Sequence, residues 1–329
     1  MKAFITGAGG FMGPHLAKYL HEKGEEVFST YYEPISDINE LKKLGKAEEL
    51  DVRDKTKFKK MLEEFKPDAV YHLAAQSYPT VSWEKPNYTI QANVEGTINL
   101  FESLKELNLN PVVIVACSSA EYGFVKPEEV PISEEHSLLP LHPYGVSKVA
   151  QDFLTYQYYK NFGMRGIRIR IFNTTGPGKV NDVCSDFTKQ AVMIEKGLRA
   201  QRSGLPNDSE RRMKDPVFTT GNLNAKRAIT DVRDIIRAFH LLAEKGTAGE
   251  VYNVSGEKAY LIKDILDIVI KTAGIKVTTE TDPKLLRPTD EPIIFGDSTK
   301  LKNETGWKQE IPIEKTIKDM IEFWRNKLR

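Results

Sequence analysis

Cysteine is scarce: Cys117 and Cys184 are too few for a disulfide framework, and their spacing matches no metal site. That scarcity fits a reducing compartment, and a cytoplasmic setting without a resident metal is expected. An excess of charge of one sign is missing as well. The 47 Lys and Arg residues stand against 46 Asp and Glu, so no long-range field is available to hold nucleic acid or an anionic membrane. Long apolar runs are also absent, none approaching the roughly 20 residues of a membrane span. The opening MKAFITGAGG places Lys2 before a short apolar run that breaks into glycines, so no secretory signal is expected there. No internal repeat is visible. What remains, 40% hydrophobic and 28% charged residues, is the balance of a chain that buries a core and solvates its surface.

Short runs rich in β-branched and aromatic residues alternate with longer amphipathic stretches. Strands are expected at KAFIT (2–6), EVFST (26–30), AVYHL (69–73), VVIVAC (112–117) and IRIRIF (167–172), and helices at 11–23, 54–66, 88–107 and 144–162. This alternation predicts an α/β fold, a Rossmann-type doubly wound parallel sheet. The expected division is a dinucleotide-binding part over 1–172, its sheet completed by segments near 222–256, and a smaller α/β substrate-binding part over 173–329. A helix is also expected at 260–273. The stretch 201–216, with seven charges and two prolines, reads as a mobile surface loop.

Gly7, Gly10 and Gly13 in TGAGGFMG follow the first strand and open the first helix, where backbone N–H groups and the helix dipole can hold a pyrophosphate. NAD or NADP is the expected cofactor. The end of the second strand, which normally discriminates the two, reads Thr30-Tyr31-Tyr32-Glu33. Glu33 leans toward NAD while Lys42 and Lys43 could reach a 2′-phosphate, so the choice stays open. Asp51 and Val52 are placed to meet adenine, although Asp51 could equally cap a helix.

A Tyr four residues before a Lys shares a helical face with it, and the ammonium is expected to lower the phenol's pKa and make it a usable acid or base. The pattern occurs four times, at Tyr19/Lys23, Tyr122/Lys126, Tyr144/Lys148 and Tyr156/Lys160. Only Tyr144 begins an expected helix, after Pro143. Ser118 closes the strand VVIVAC. Carboxyl ends of strands and starts of helices face the cofactor in this architecture, so Ser118, Tyr144 and Lys148 are expected to converge on one substrate oxygen.

TGAGGFMG, HLAAQS, CSSAEYG, PYGVSK and FNTTGPG, in this order, resemble an extended short-chain dehydrogenase/reductase acting on nucleotide sugars. NLNAKRAITDVRD (222–234), VYNVSG (251–256), LRPTDE (286–291) and TGWKQEI (305–311) resemble the branch that holds GDP-mannose 4,6-dehydratase and GDP-6-deoxy-4-ketohexose reductase. The resemblance implies that Ser118 bonds the reacting sugar oxygen, Tyr144 exchanges its proton, and Lys148 holds the nicotinamide ribose. It extends the cofactor set through Phe11, Met12, Tyr31, Leu73, Ala74 and Ala75. For the sugar nucleotide, a GDP-linked one by preference, it implies Gln76, Ser119, Asn173, Lys189, Arg227, Arg287 and Glu291. The two arginines suit a diphosphate, being bidentate and permanently charged. A homodimer is the family-level expectation.

A 4,6-dehydratase must oxidise C4, remove the C5 proton and expel the C6 hydroxyl, so it needs acid/base groups beyond Ser, Tyr and Lys. Such enzymes carry a Glu three residues before the Gly of the YG pair. Here that position is Ala120. Glu121, one residue later, is the weaker candidate, since a one-residue offset on an extended segment points its side chain to the opposite face. A 4-keto reductase is therefore ranked first, a dehydratase second and a 4-epimerase third. A redox sensor that binds a dinucleotide without turnover is the non-enzyme alternative.

Overall fold

The computed structural model describes residues 1–197, 216–286 and 291–328. Seven parallel strands form one sheet: β1 (Lys2–Thr6), β2 (Glu26–Tyr31), β3 (Lys46–Glu49), β4 (Ala69–His72), β5 (Val112–Ser118), β6 (Gly166–Ile171) and β7 (Val251–Val254), in the spatial order β7-β6-β5-β4-β1-β2-β3. Alternation along β1 sends Phe4 to one face and Ala3 and Ile5 to the other, and both faces are buried, as a parallel sheet requires. Phe4 lies 5.0 Å from the Phe28 ring edge-to-face and packs with Phe58 and Phe65. On the opposite face Ile5, Ile114, Ile169, Phe239 and Trp307 share one cluster.

The helices that cover the sheet start and stop where local chemistry dictates. Helix α1 (Met12–Glu22) follows the glycine turn directly. Helix α2 (Lys55–Phe65) is capped by Asp54, which accepts the Lys57 N–H at 3.0 Å, so the cap is Asp54 and not Asp51. Helix α4 (Pro143–Phe162) opens on Pro143, with the His142 ring accepting the Gly145 N–H at 3.0 Å, and closes at Gly163 in the left-handed conformation (φ 64°). The helix expected over 88–107 runs without a break from Pro86 to Glu106, with a π-turn over Gln91–Glu95 between Pro86–Ile90 and α3 (Gly96–Glu106). The turn aims Asn93 at the segment that carries Gln76. Its side chain accepts the Gln76 N–H (2.7 Å) and donates to the Gln76 carbonyl (3.1 Å) and to Ser147 Oγ (2.8 Å).

Beyond residue 172 the chain supplies both sheet and lobe. Strand β7 completes the sheet, pairing parallel with β6. Helix α6 (Val232–Lys245) packs on the sheet face. A second cluster, including Phe187, Phe218, Ile265, Ile317 and Trp324, joins α5 (Val183–Glu195), α7 (Ile262–Ala273) and α8 (Ile313–Lys327). Beside it a short sheet runs Ala259–Leu261, Lys226–Ala228, Ile293–Ile294. All but Pro216 of the expected loop 201–216 lies outside the described residues. No helix among the described residues is long and apolar enough to cross a membrane.

Candidate active site

A cleft of about 1160 Å³ runs along the carboxyl ends of the strands, between the sheet and the second lobe. The glycine loop forms one end, and its three glycines do three different jobs. Gly7 has φ 70°, and a Cβ there would stand 2.7 Å from Ala74 Cα; Gly13 is tighter, 2.3 Å from Ala8 Cα. These two allow close approach of turn, strand and helix. Gly10 lines the cleft, and a Cβ there would meet only the Gly7 carbonyl, at 3.3 Å. Its missing side chain keeps the start of α1 open to a ligand, and backbone N–H groups in that position suit a pyrophosphate.

The expected cofactor residues Gly7, Gly10, Phe11, Met12, Gly13, Asp51, Val52, Leu73, Ala74 and Ala75 all line this cleft. Tyr31 does not. It ends β2 with its Cβ close beside Gly9, and the next two residues, Tyr32 and Glu33, line the cleft instead. Asp51 holds Arg53 through both carboxylate oxygens (2.9 and 3.0 Å to Nε), and that guanidinium keeps its carboxyl below the usual range. Arg53 in turn lies over the rings of Tyr32 and Tyr88. Behind Ala74, buried His72 bridges Thr6 (2.9 Å) and Thr97 (3.1 Å). Burial pushes its pKa down to about 3, so the ring is a neutral structural link.

Ser118 ends β5, Tyr144 starts α4, and Lys148 lies one turn further on; all three line the cleft. Tyr144 and Ser118 share a side-chain hydrogen bond. The other three Tyr/Lys pairs are elsewhere. Tyr19 packs on His240, Tyr122 donates to Asn253 Oδ1 (2.7 Å), and Tyr156 is exposed beneath Arg168. One expectation needs correcting. Lys148 does not lower the Tyr144 phenol in this arrangement, because its ammonium donates to the Ala116 carbonyl at 2.7 Å and stands 5.7 Å from the ring centroid. Burial dominates and pushes the phenol up to about 12, opposed by the hydrogen bond with Ser118. Burial lowers the Lys148 pKa in turn.

Glu121 is fully buried and faces away from the cleft. Residues Ser119–Glu121 form a 3₁₀ turn, not an extended segment, so the reason differs from the alternation expected. Glu121 reaches back to accept the Ser118 N–H at 2.7 Å while the Ser118 hydroxyl accepts the Ala120 N–H at 3.1 Å, a capping box. Its other oxygen lies 3.2 Å from Arg170 Nε, which also holds Asp152 at 2.9 Å, and Arg168 pairs with the far side of Asp152 at 2.8 Å. Burial and the nearby Asp152 push the Glu121 carboxyl up to about 8, against the pull of Arg170. Cys117, Glu121 and Asp152 place ligand-type atoms within 4.8 Å of one another, but the guanidinium of Arg170 already lies against both carboxyl groups, 3.2 Å from Glu121 and 2.9 Å from Asp152.

Of the residues expected to hold a sugar nucleotide, Gln76, Ser119, Asn173, Lys189 and Arg227 line the cleft. The Gln76 amide is engaged within the protein, donating to Thr89 Oγ1 (3.0 Å) and accepting the Tyr78 N–H (2.6 Å). Arg227 donates to the Glu291 carbonyl at 2.8 Å, so Glu291 borders the arginine and not the cleft itself. Arg287 lies outside the described residues. Lys179 and Asp182, just past the TTGPG turn, also face the cleft and were not singled out by the sequence, where a lone Lys after a turn has no distinguishing pattern.

The model of the GDP-mannose 4,6-dehydratase family matches residues 4–320. The chain belongs to that family. It is 29% identical to the GDP-6-deoxy-D-mannose reductase of Pseudomonas aeruginosa, over 100% of this chain and 98% of the relative. It is likewise 29% identical to GDP-mannose 4,6 dehydratase 1 of Arabidopsis thaliana, over 97% of this chain and 88% of that one. Among solved structures, RMD from Pseudomonas aeruginosa complexed with NADPH superposes with a TM-score of 0.84 at 26% identity, covering 99% of this chain and 100% of that one. The UDP-glucose 4-epimerase of Thermus thermophilus complexed with NAD reaches 0.84 at 24% identity over 99% of both chains, a likeness of fold. The chain is thus an enzyme of the extended short-chain dehydrogenase/reductase class, as its motifs led us to expect.

Proposed function

We propose that the enzyme reduces a GDP-linked 4-keto-6-deoxyhexose at C4, using a nicotinamide dinucleotide held in the glycine loop. The observation that carries this reading is the turn after β5. At the position where a dehydratase carries its Glu there is Ala120, and the carboxylate beside it, Glu121, is spent on Ser118 and Arg170 behind the cleft. The cofactor supplies the hydride. The protein has to hold the sugar oxygen and deliver one proton to it. Ser118 and Tyr144 sit together for that purpose, and a phenol pushed up to about 12 remains the protonated acid that a reduction needs at neutral pH. As hydride reaches C4, Tyr144 gives its proton to O4 and is reprotonated from solvent, while Lys148 holds the ribose of the dinucleotide.

The guanine end and diphosphate of the substrate fall on the side formed by residues after 173, with Asn173 and Arg227 as the diphosphate contacts and Lys189 nearby. A homodimer is supported by the outer face of α4, where Val146, Phe153 and Tyr156 are exposed at helical spacing, with Ile90 exposed on the neighbouring helix. Two free, buried cysteines suit a reducing cytoplasm. Supplied with the 4-keto-6-deoxy sugar on GDP, the enzyme should oxidise NAD(P)H, and with the same sugar on UDP it should do so at least about tenfold more slowly. Equal rates on both would remove the GDP assignment, and no oxidation on either would remove the reductase reading.

A further inference from the structure

We propose that Glu121 is a positioning residue for the proton transfer: from behind the cleft it fixes Ser118 against Tyr144 through a closed chain of contacts over β5, β6 and α4. The proposal rests on the reading that Ser118 and Tyr144 act together on the sugar oxygen. Asp152 lies about two turns after Tyr144 on the same helix. Its carboxylate accepts Arg170 Nε at 2.9 Å, and the same nitrogen stands 3.2 Å from Glu121. Glu121 accepts the Ser118 N–H at 2.7 Å, and the Ser118 hydroxyl returns the chain to Tyr144.

The chain is anchored on both sides. Arg168 donates to the other Asp152 oxygen at 2.8 Å and to the Gly249 carbonyl at 2.7 Å. Arg170 donates to the Glu134 carbonyl at 2.9 Å and to the Tyr122 hydroxyl at 3.1 Å. A second observation shows how directly the turn is coupled to the helix. A Cβ on Gly145 would stand 2.7 Å from the Ala120 carbonyl oxygen, so the first turn of α4 rests on the 119–121 turn backbone to backbone. Any shift of that turn therefore changes the reach between Ser118 and Tyr144. Within the turn the Ser118 hydroxyl already accepts the Ala120 N–H, which leaves its own proton for the cleft.

Stability alone does not call for a carboxyl at this place. Glu121, Asp152 and Arg170 are all buried, and the cost of removing such groups from water offsets most of their mutual attraction, so apolar residues of similar volume can serve a fold as well. What an apolar residue cannot supply is an acceptor for the Ser118 N–H that is itself held to α4 through Arg170 and Asp152. A misplacement of about 1 Å in a reacting group can cost on the order of a hundredfold in rate, so fixing this contact has a catalytic consequence.

The test is steady-state kinetics with the GDP-linked 4-keto-6-deoxy sugar and reduced cofactor in wild type, Glu121→Leu and Glu121→Gln, each also combined with Ser118→Ala. Glu121→Leu should lower kcat about thirtyfold or more with KM within about threefold, while Glu121→Gln, which keeps the acceptor, stays within about fivefold. Because Glu121 acts through the Ser118 hydroxyl, Glu121→Leu should cost at most about threefold more once Ser118 is Ala, whereas a merely structural role gives losses that multiply. Arg170→Lys keeps the charge but cannot span both carboxyls, and its loss of kcat should depend on Ser118 in the same way, which carries the test if the Leu variant does not fold. Multiplying losses, a Gln variant as slow as the Leu variant, or a change confined to KM would overturn the proposal alone. No oxidation of the cofactor by wild type would remove the reductase reading and this proposal with it.

Discussion

Replacing Gly10 and Gly13 with Ala separates ligand approach from packing within one loop. At Gly13 the added Cβ would fall 2.3 Å from Ala8 Cα and 2.5 Å from the Ala8 carbonyl oxygen, both backbone atoms that cannot swing aside. Overpacking of this kind costs about 1–3 kcal/mol when side chains can adjust, and here the upper end applies. That corresponds to a fall in unfolding temperature on the order of 6 °C. At Gly10 the Cβ meets the Gly7 carbonyl oxygen at 3.3 Å and otherwise projects into the cleft, so the ligand-free protein should unfold within about 2 °C of wild type. The methyl group then occupies the space through which phosphate oxygens approach the α1 terminus, and loss of two charge-assisted hydrogen bonds weakens dinucleotide binding about a hundredfold or more. Thermal unfolding of the ligand-free variants and calorimetric titration with NADPH and NAD give the two readouts. A Gly10→Ala protein that bound as wild type does, or a Gly13→Ala protein as stable as wild type, would refute the division of labour.

Tyr144→Phe should cut turnover by about a hundredfold or more with the fold intact, whereas Tyr156→Phe, on the exposed face of α4, should leave it within about twofold; comparable losses would mean that the wrong pair has been chosen. Glu121 gives a pH dependence. Its carboxyl is raised from 4.5 to about 8, so the folded state holds the extra proton between those values, and the stability it contributes is lost as pH rises through that window. Unfolding temperature should therefore fall less steeply from pH 5 to about 8 in Glu121→Gln than in wild type, and equal slopes would contradict the buried-cluster account.

The sheet was legible where β-branched and aromatic residues run together, as in VVIVAC, and not at Lys46–Glu49, whose KAEE sequence belongs to an edge strand and carries no such signal. The helix over 88–107 was legible from its periodicity, but the π-turn inside it, where Asn93 bonds Gln76 and Ser147, was not, since no local periodicity reports those contacts. Among four Tyr/Lys pairs, position on the strand-to-helix side of the sheet picked out Tyr144, which geometry places beside Ser118. The relation of Tyr144 to Lys148 was not legible, since it turns on burial and on the Ala116 carbonyl that captures the ammonium. Glu121 was expected to point away from the site and does, although a capping turn and a buried arginine hold it there in place of strand alternation. Lys179 meets Phe11 across most of the Rossmann part of the sequence, a pairing that only folding creates.

The direct test of the reductase reading is product analysis by mass and NMR in two parallel incubations, each expected to distinguish loss of water from gain of hydrogen. With GDP-mannose and oxidised cofactor, the account predicts no product, because removing water requires groups that Ala120 cannot supply and Glu121 cannot reach the cleft to supply. With the GDP-linked 4-keto-6-deoxy sugar and reduced cofactor, it predicts a 6-deoxyhexose carrying one new hydrogen at C4. A product lighter than GDP-mannose by one water in the first incubation would contradict the account.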